Sequence, residues 1–92
     1  IVCGGDAEFV MHMGGLVTAG RYRDEIDLSY ILFDNEQNKS TGGQNSYQNH
    51  VNYIEIAKNA NLETVDSVIT TLNEFALTLE DFRDKKGLKF VC

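Results

Sequence analysis

Two short apolar runs, each ending in oxygen-bearing residues, constrain this chain more than anything else in it. Ile1-Val2-Cys3 leads into Gly4-Gly5-Asp6-Ala7, and Ile31-Leu32-Phe33 leads into Asp34-Asn35. Residues 8–33 lie between the two polar tips, enough for one crossover helix and the second strand. A strand, a crossover and a second strand make a βαβ unit. Its strands are parallel, so both tips fall on one edge of the sheet. The carboxyl ends of neighbouring parallel strands are where open α/β sheets bind ligands. A carboxylate and an amide carbonyl placed there form an all-oxygen environment suited to magnesium carrying a phosphate.

The rest of the chain extends the same pattern to a parallel-sheet α/β fold in the order β-α-β-loop-α-β-α-β. Residues 1–4 are expected to form a buried strand, with Gly4 and Gly5 permitting a sharp turn after it. A helix is expected over residues 8–20. Phe9, Val10, Met13, Leu16 and Val17 cover more than one of its faces, which predicts burial on both sides. Gly14 and Gly15 within it cost about 1 kcal/mol each against alanine. Close packing of another helix, at a dimer interface, is the expected compensation. Gly20 is expected to end the helix. A second strand follows at 27–33, then a polar loop over 34–48, long enough to be functional. Asn49 is the expected cap of a helix over 50–60, followed by a short strand at 64–69. Thr71-Leu72-Asn73-Glu74 has the form of a capping box. The helix it opens carries Leu72, Phe75, Ala76, Leu79 and Phe82 on one face, and Lys85-Lys86-Gly87 closes it. A last strand is expected over 88–92.

Composition excludes some classes of partner. A net charge of −6 lacks the basic footprint that nucleic acid requires. No apolar run approaches the roughly 20 residues of a membrane span, and no signal peptide is visible. No membrane partner is therefore expected, and a cytoplasmic protein is. Cys3 and Cys92 sit in apolar strand-like runs and are expected to be buried, reduced thiols, which fits a reducing compartment. The 92 residues make one domain. A chain of this size buries only about 60–65% of its unfolded surface. It opens in a strand without Met and ends in one, so part of a longer enzyme is expected.

Gly5-Asp6-Ala7 and Asp34-Asn35, about two dozen residues apart, together resemble the thiamine-diphosphate and magnesium motif, Gly-Asp-Gly followed by Asn-Asn. Met11-His12-Met13-Gly14-Gly15-Leu16 and Ser40-Thr41-Gly42-Gly43-Gln44 resemble the phosphonopyruvate decarboxylases, with the sulfopyruvate decarboxylases close by. The likeness continues through Asn49-His50-Val51-Asn52-Tyr53 and Ile56-Ala57-Lys58 and fades after about residue 60. The resemblance implies a three-layer thiamine-diphosphate-binding fold, with residues 1–92 as part of its diphosphate-binding domain. It implies magnesium held by the Asp6 carboxylate, the Asn35 amide carbonyl and the backbone carbonyl of Gln37. It implies cofactor contacts from Gly5, Asp6, Ala7, Glu8, Asn35, Ser40, Thr41 and Gly42. A pyrimidine-binding domain, from the same or a partner chain, would complete the site in a homo-oligomer. The implied substrate is a small keto acid, phosphonopyruvate, converted to phosphonoacetaldehyde and carbon dioxide, with a sulfopyruvate decarboxylase subunit as the alternative. Lys39, Arg21 and Arg23 are the cationic candidates for the substrate's anionic group. Solvation is the better reading for the two arginines.

Blander readings stand beside these. Asp6 alone would be a helix N-cap, and Asn35 alone a turn former. His12 is expected in a core or interface, and Met11 and Met13 in the core. Three positions depart from the family pattern: Ala7 replaces glycine, which predicts strain if the backbone there is left-handed. Asp34 replaces asparagine, and Glu8 replaces a small residue. Asp6, Glu8, Asp34 and Glu36 then crowd four carboxylates near a diphosphate, which weakens anion binding unless some point away. A degenerate, non-catalytic α/β interaction module is the reading from a different class.

Overall fold

The computed structural model describes all 92 residues. In chain order the elements are β1 (Val2–Gly5), α1 (Asp6–Met11), α2 (Met13–Arg21), β2 (Leu28–Phe33), β3 (Gln37–Asn38), β4 (Gln44–Asn45), α3 (Tyr53–Asn59), β5 (Glu63–Thr64), α4 (Leu72–Asp84) and β6 (Leu88–Val91). A single 3-10 turn spans Lys39–Thr41. Four strands form one parallel sheet in the order β1-β2-β6-β5, and β3 and β4 form a small antiparallel hairpin apart from it. Val2–Gly5 pair with Tyr30–Phe33, and Leu28–Ile31 pair with Leu88–Val91. The first two strands therefore end side by side, as the βαβ reading requires.

The sheet separates two apolar layers. Leu32, Leu88, Phe90 and Cys92 face α1, α2 and α3, where Phe9, Leu16, Tyr53, Ile54 and Ala57 close the larger core. Ile31 and Val91 point the other way and meet Phe82 of α4, with Phe75 and Leu79 half-buried beside it. Strand β6 is covered on both faces, which accounts for its nearly unbroken apolar run. The exception is Lys89, 2% exposed. Its ammonium donates to Asp27 Oδ1 at 2.7 Å and to the Lys85 carbonyl at 2.6 Å. Those partners set a cation against the negative end of α4 and offset the cost of enclosing it.

Several expectations about local structure are corrected. The first helix begins at Asp6, not residue 8, and breaks at His12 (φ −125°, ψ 23°) into α1 and α2. His12, Met11 and Met13 are exposed, so that surface is not core in this chain. A Cβ at Gly14 or Gly15 would meet nothing within 4 Å, so no helix of this chain packs closely there. Gly20 does not end α2, which runs on to Arg21; it is a contact point for Ala60. Gly5 is extended (φ −92°, ψ 164°), so no glycine turn follows β1. Asn52, not Asn49, caps α3, its side chain accepting the Glu55 N–H at 3.1 Å. Strand β5 shrinks to Glu63–Thr64, after which the chain rejoins the sheet through Ile69 N–H to the Cys92 carbonyl, 2.8 Å. Thr71 caps α4 as expected, accepting the Glu74 N–H at 3.2 Å. Leu72, however, is 86% exposed and contributes nothing to the docking of α4. Cys3 is exposed and Cys92 buried, and both are free.

Candidate functional site

Gly5 and Phe33 are the last paired residues of β1 and β2. Neighbouring strands run about 4.8 Å apart, so the residues that follow begin as neighbours. On one side these are Asp6, Ala7 and Glu8, the first turn of α1. On the other they are Asp34 and Asn35. Phe9, three residues into α1, fixes that helix on the sheet. Its ring meets Tyr30, Tyr53 and Phe90 at centroid distances of 5.8, 5.5 and 5.7 Å.

Asp6 is fully enclosed, with no exposed surface. Gly5 occupies the N-cap position, so Asp6 lies inside the helix and takes no backbone N–H. The capping reading of Asp6 is thereby overturned. Its Oδ2 accepts the Ser46 hydroxyl. Its Oδ1 is buried and has no partner. Leaving a buried acceptor unpaired costs about 1–3 kcal/mol, more for a charged group. Such an atom calls for an explanation, and the oxygen's readiness to accept from a cation is one.

The polar loop at the second tip is held by its own side chains. Asp34 Oδ1 accepts the Glu36 N–H at 3.1 Å, Asn35 Oδ1 the Gln37 N–H at 2.9 Å, and Asn45 Oδ1 the Tyr47 N–H at 2.7 Å. The turn-former reading of Asn35 thus holds, and its carbonyl oxygen keeps a second lone pair. Between these turns β3 pairs with β4, Gln37 with Asn45 and Asn38 with Gln44. Glu36 (φ 56°) and Tyr47 (φ 55°) are left-handed at the two ends of this hairpin. Gly42 (φ 122°) and Gly43 (φ 82°) turn its tip, conformations that glycine alone adopts cheaply. Strand β3 packs on α1, and Ser46 donates its N–H to the Glu36 carbonyl at 2.9 Å.

The expected site residues are brought together unequally. Gly5, Asp6, Ala7 and Glu8 cluster at the start of α1, with Asn35 and Gln37 on the adjoining loop. Ser40, Thr41 and Gly42 lie at the exposed turn of the hairpin. The Ser40 hydroxyl donates to Asn38 Oδ1 and that of Thr41 to Gln44 Oε1, both at 2.9 Å. Ala7 is helical and not left-handed, so the expected strain is absent. Glu8 turns back to accept the Gly5 N–H at 3.4 Å. No three His, Cys, Asp or Glu side chains converge as a metal cluster. A cation held here draws on amide and carbonyl oxygens beside Asp6.

Three residues near Asp6 were not among the expected site residues: Ser46, Tyr53 and Cys92. Tyr53 is buried, its hydroxyl has no partner, and burial with the Asp34 and Asp6 carboxylates pushes it up to about 12. Burial and the same two carboxylates push the Cys92 thiol up to about 11. Both stay protonated at neutral pH. Two open cavities flank the Asp34 loop. One, about 510 Å³, is mainly apolar, with Phe33, Leu72 and Phe75 in its wall. The other, about 460 Å³, is polar and holds Asp34, Glu36 and Tyr53.

No curated protein matches this chain. One family does: the profile described as thiamine pyrophosphate enzyme, C-terminal TPP binding domain, matches residues 1–92. With an α/β parallel sheet in three layers and the match covering its whole length, the chain belongs to the thiamine pyrophosphate enzymes, as their C-terminal cofactor-binding domain.

Proposed function

We propose that this chain is the cofactor-binding part of a decarboxylase that uses thiamine diphosphate and magnesium and converts phosphonopyruvate to phosphonoacetaldehyde and carbon dioxide. The observation that carries the metal assignment is Asp6 Oδ1, an enclosed carboxylate oxygen without a partner at the tip of β1. Magnesium takes about six oxygens and prefers to share them with phosphate. Asp6, the Asn35 amide carbonyl and the Gln37 backbone carbonyl supply three in this reading. Diphosphate oxygens and water complete the shell. The first-turn N–H groups near Ala7 and Glu8 have no intrahelical acceptor and meet the phosphates. Ser40, Thr41 and Gly42 come into play only if the hairpin turn bends toward the diphosphate. Bound thiamine diphosphate supplies the electron sink for loss of carbon dioxide, and the protein binds and orients it.

Support for the substrate is the likeness of Met11–Leu16 and Ser40–Gln44 to phosphonopyruvate decarboxylases. Lys39 adds to it as the one Lys or Arg within residues 34–48. Sulfopyruvate is the alternative, and carbon dioxide release from the two keto acids compared side by side separates them. Glu8 accepts the Gly5 N–H and Asp34 the Glu36 N–H, which answers part of the carboxylate crowding that favoured a non-catalytic module. A pyrimidine-binding domain, from this or a partner chain, belongs to the proposal. So does a homo-oligomer, for which the exposed Met11, Met13 and Val17 beside Gly14 and Gly15 are the support.

The test is calorimetric titration of the intact protein with thiamine diphosphate, with and without magnesium. Binding should require the metal and be lost in Asp6→Ala. Unchanged binding in that variant refutes the assignment.

A further inference from the structure

We infer that Ser46 is a positioning residue for the metal ligand: its hydroxyl fixes the Asp6 carboxylate so that Oδ1 is the oxygen offered to magnesium. The inference rests on the magnesium site proposed above. It adds a residue that neither the motif nor the resemblance includes.

The Ser46 hydroxyl donates to Asp6 Oδ2, and no other hydrogen bond holds that carboxylate. A carboxylate with one oxygen occupied and the other free is prepared for single-oxygen coordination. Metal-ligating carboxylates are themselves commonly hydrogen-bonded by an outer partner that sets their orientation. Ser46 is well placed for that task, because its own backbone is fixed. Its N–H donates to the Glu36 carbonyl at 2.9 Å, and the Asn45 side chain closes a turn onto the Tyr47 N–H at 2.7 Å. Glu36 leads directly into Gln37, whose carbonyl is the third proposed metal ligand. One backbone hydrogen bond and one side-chain hydrogen bond at Ser46 therefore tie both strand tips together. Asp6 stands at one tip and the Asn35–Gln37 loop at the other. The same contact joins the β3–β4 hairpin, with Ser40 and Thr41 at its turn, to the metal ligand. Metal binding and order in the hairpin are coupled through it.

The test uses the intact protein and three substitutions: Ser46→Ala, Ser46→Val and Ser46→Thr. Val and Thr have nearly the same shape and differ by the hydroxyl. The first readout is the magnesium concentration that half-saturates thiamine diphosphate binding, measured by calorimetry well below the melting temperature of every variant. Loss of an outer partner typically weakens metal binding 10- to 100-fold. Ser46→Ala and Ser46→Val should shift the magnesium midpoint upward by that factor, and Ser46→Thr should stay within about threefold of wild type. The second readout is amide hydrogen exchange. Magnesium with thiamine diphosphate should slow exchange over residues 37–46 in wild type and Ser46→Thr. It should not do so in Ser46→Val, whose β2 and β6 amides remain protected. A midpoint in Ser46→Val within twofold of wild type overturns the inference, as does an equal loss in Val and Thr, which would make shape and not the donor the cause. If the wild-type protein binds the cofactor without any need for magnesium, the metal site itself falls and the role of Ser46 with it.

Discussion

Replacing Gly20 with alanine sets two effects of known size against each other. In a helix interior, alanine is favoured over glycine by about 1 kcal/mol, so propensity alone predicts a more stable protein. Packing predicts the reverse. A Cβ built at Gly20 falls 1.8 Å from the Ala60 carbonyl oxygen and 3.0 Å from its carbon. Ordinary contact begins near 3.4 Å, so α2 and the end of α3 must part by about 1.6 Å. The obstacle is backbone, with no side chain to rotate away. Ala60 N–H is bound to the Ile56 carbonyl at 3.0 Å, and the next two N–H groups to Lys58 and Ala57 at 2.9 and 3.0 Å. The Asn61 side chain bridges the two helices, reaching the Gly20 carbonyl at 3.4 Å and Arg23 at 2.8 Å. Overpacking a site of this kind costs about 1–3 kcal/mol and sometimes more. Separating the helices also loosens the main core, to which Leu16 of α2 and Ala57 of α3 both belong. Because the obstacle is backbone, the upper figure of about 3 kcal/mol applies, and less the roughly 1 kcal/mol of propensity it leaves a net loss of about 2 kcal/mol, which for a domain of 60–100 residues lowers the melting temperature by roughly 10 °C. Urea and thermal unfolding followed by circular dichroism measure it. Gly15→Ala is the control, since a Cβ there meets nothing within 4 Å and propensity acts unopposed. A Gly20→Ala protein as stable as wild type refutes the packing argument.

Asp27 and the two thiols give further checks. The Lys89 ammonium beside Asp27 holds its carboxyl below the usual carboxylate range. A depressed carboxylate stabilises the fold above its unfolded value, near 3.9, and that contribution fades as pH falls through the folded value. Asp27→Asn should therefore be less stable than wild type at pH 7, with the gap closing below about pH 4. Equal gaps in urea midpoint at pH 7 and pH 3 would sink this. At pH 8 a thiol reagent should label exposed Cys3 promptly and Cys92, buried and pushed up to about 11, only on unfolding. Rapid labelling of Cys92 in the folded protein, located by peptide mass spectrometry, contradicts that.

What could be read from the residues was whatever depends on near neighbours. The tips of β1 and β2 were legible because apolar runs ending in Gly5-Asp6 and Asp34-Asn35 mark both the strand ends and the candidate site. The Thr71 cap was legible because its partner, Glu74, is three residues away. Asn49 and Asn52 are both good caps, and the choice fell to burial of Tyr53, Ile54 and Ala57, which no local pattern reports. His12 sits among apolar residues, yet the helix breaks there and turns it to solvent. Lys89 is the clearest failure of local reading. A lysine in a central strand is tolerable only because Asp27, 62 residues away in sequence, and the end of α4 come to meet it. Ser46 is also remote from Asp6 in sequence, 40 residues on, and looks like any other polar loop residue until the hairpin folds back.

The four carboxylates around the proposed site differ in their surroundings. Two unit charges 4 Å apart interact by about 1 kcal/mol in bulk water and about 4 kcal/mol near a protein surface, and salt screens exposed charges beyond about 8–10 Å. Glu8, Asp34 and Glu36 are exposed, and the first two each accept a backbone N–H. Their repulsion of an incoming diphosphate is therefore screened at a distance and, for Glu8 and Asp34, partly answered by those N–H groups. Asp6 differs in kind, because it is enclosed and half unpaired, where the effective dielectric is lower and each charge acts more strongly. Its negative charge is a liability without a cation and an anchor with one. In the proposed site Asp6 is therefore the carboxylate on which metal binding depends most. The substitutions at Glu8 and Asp34, which look like decay of the motif, leave that carboxylate untouched.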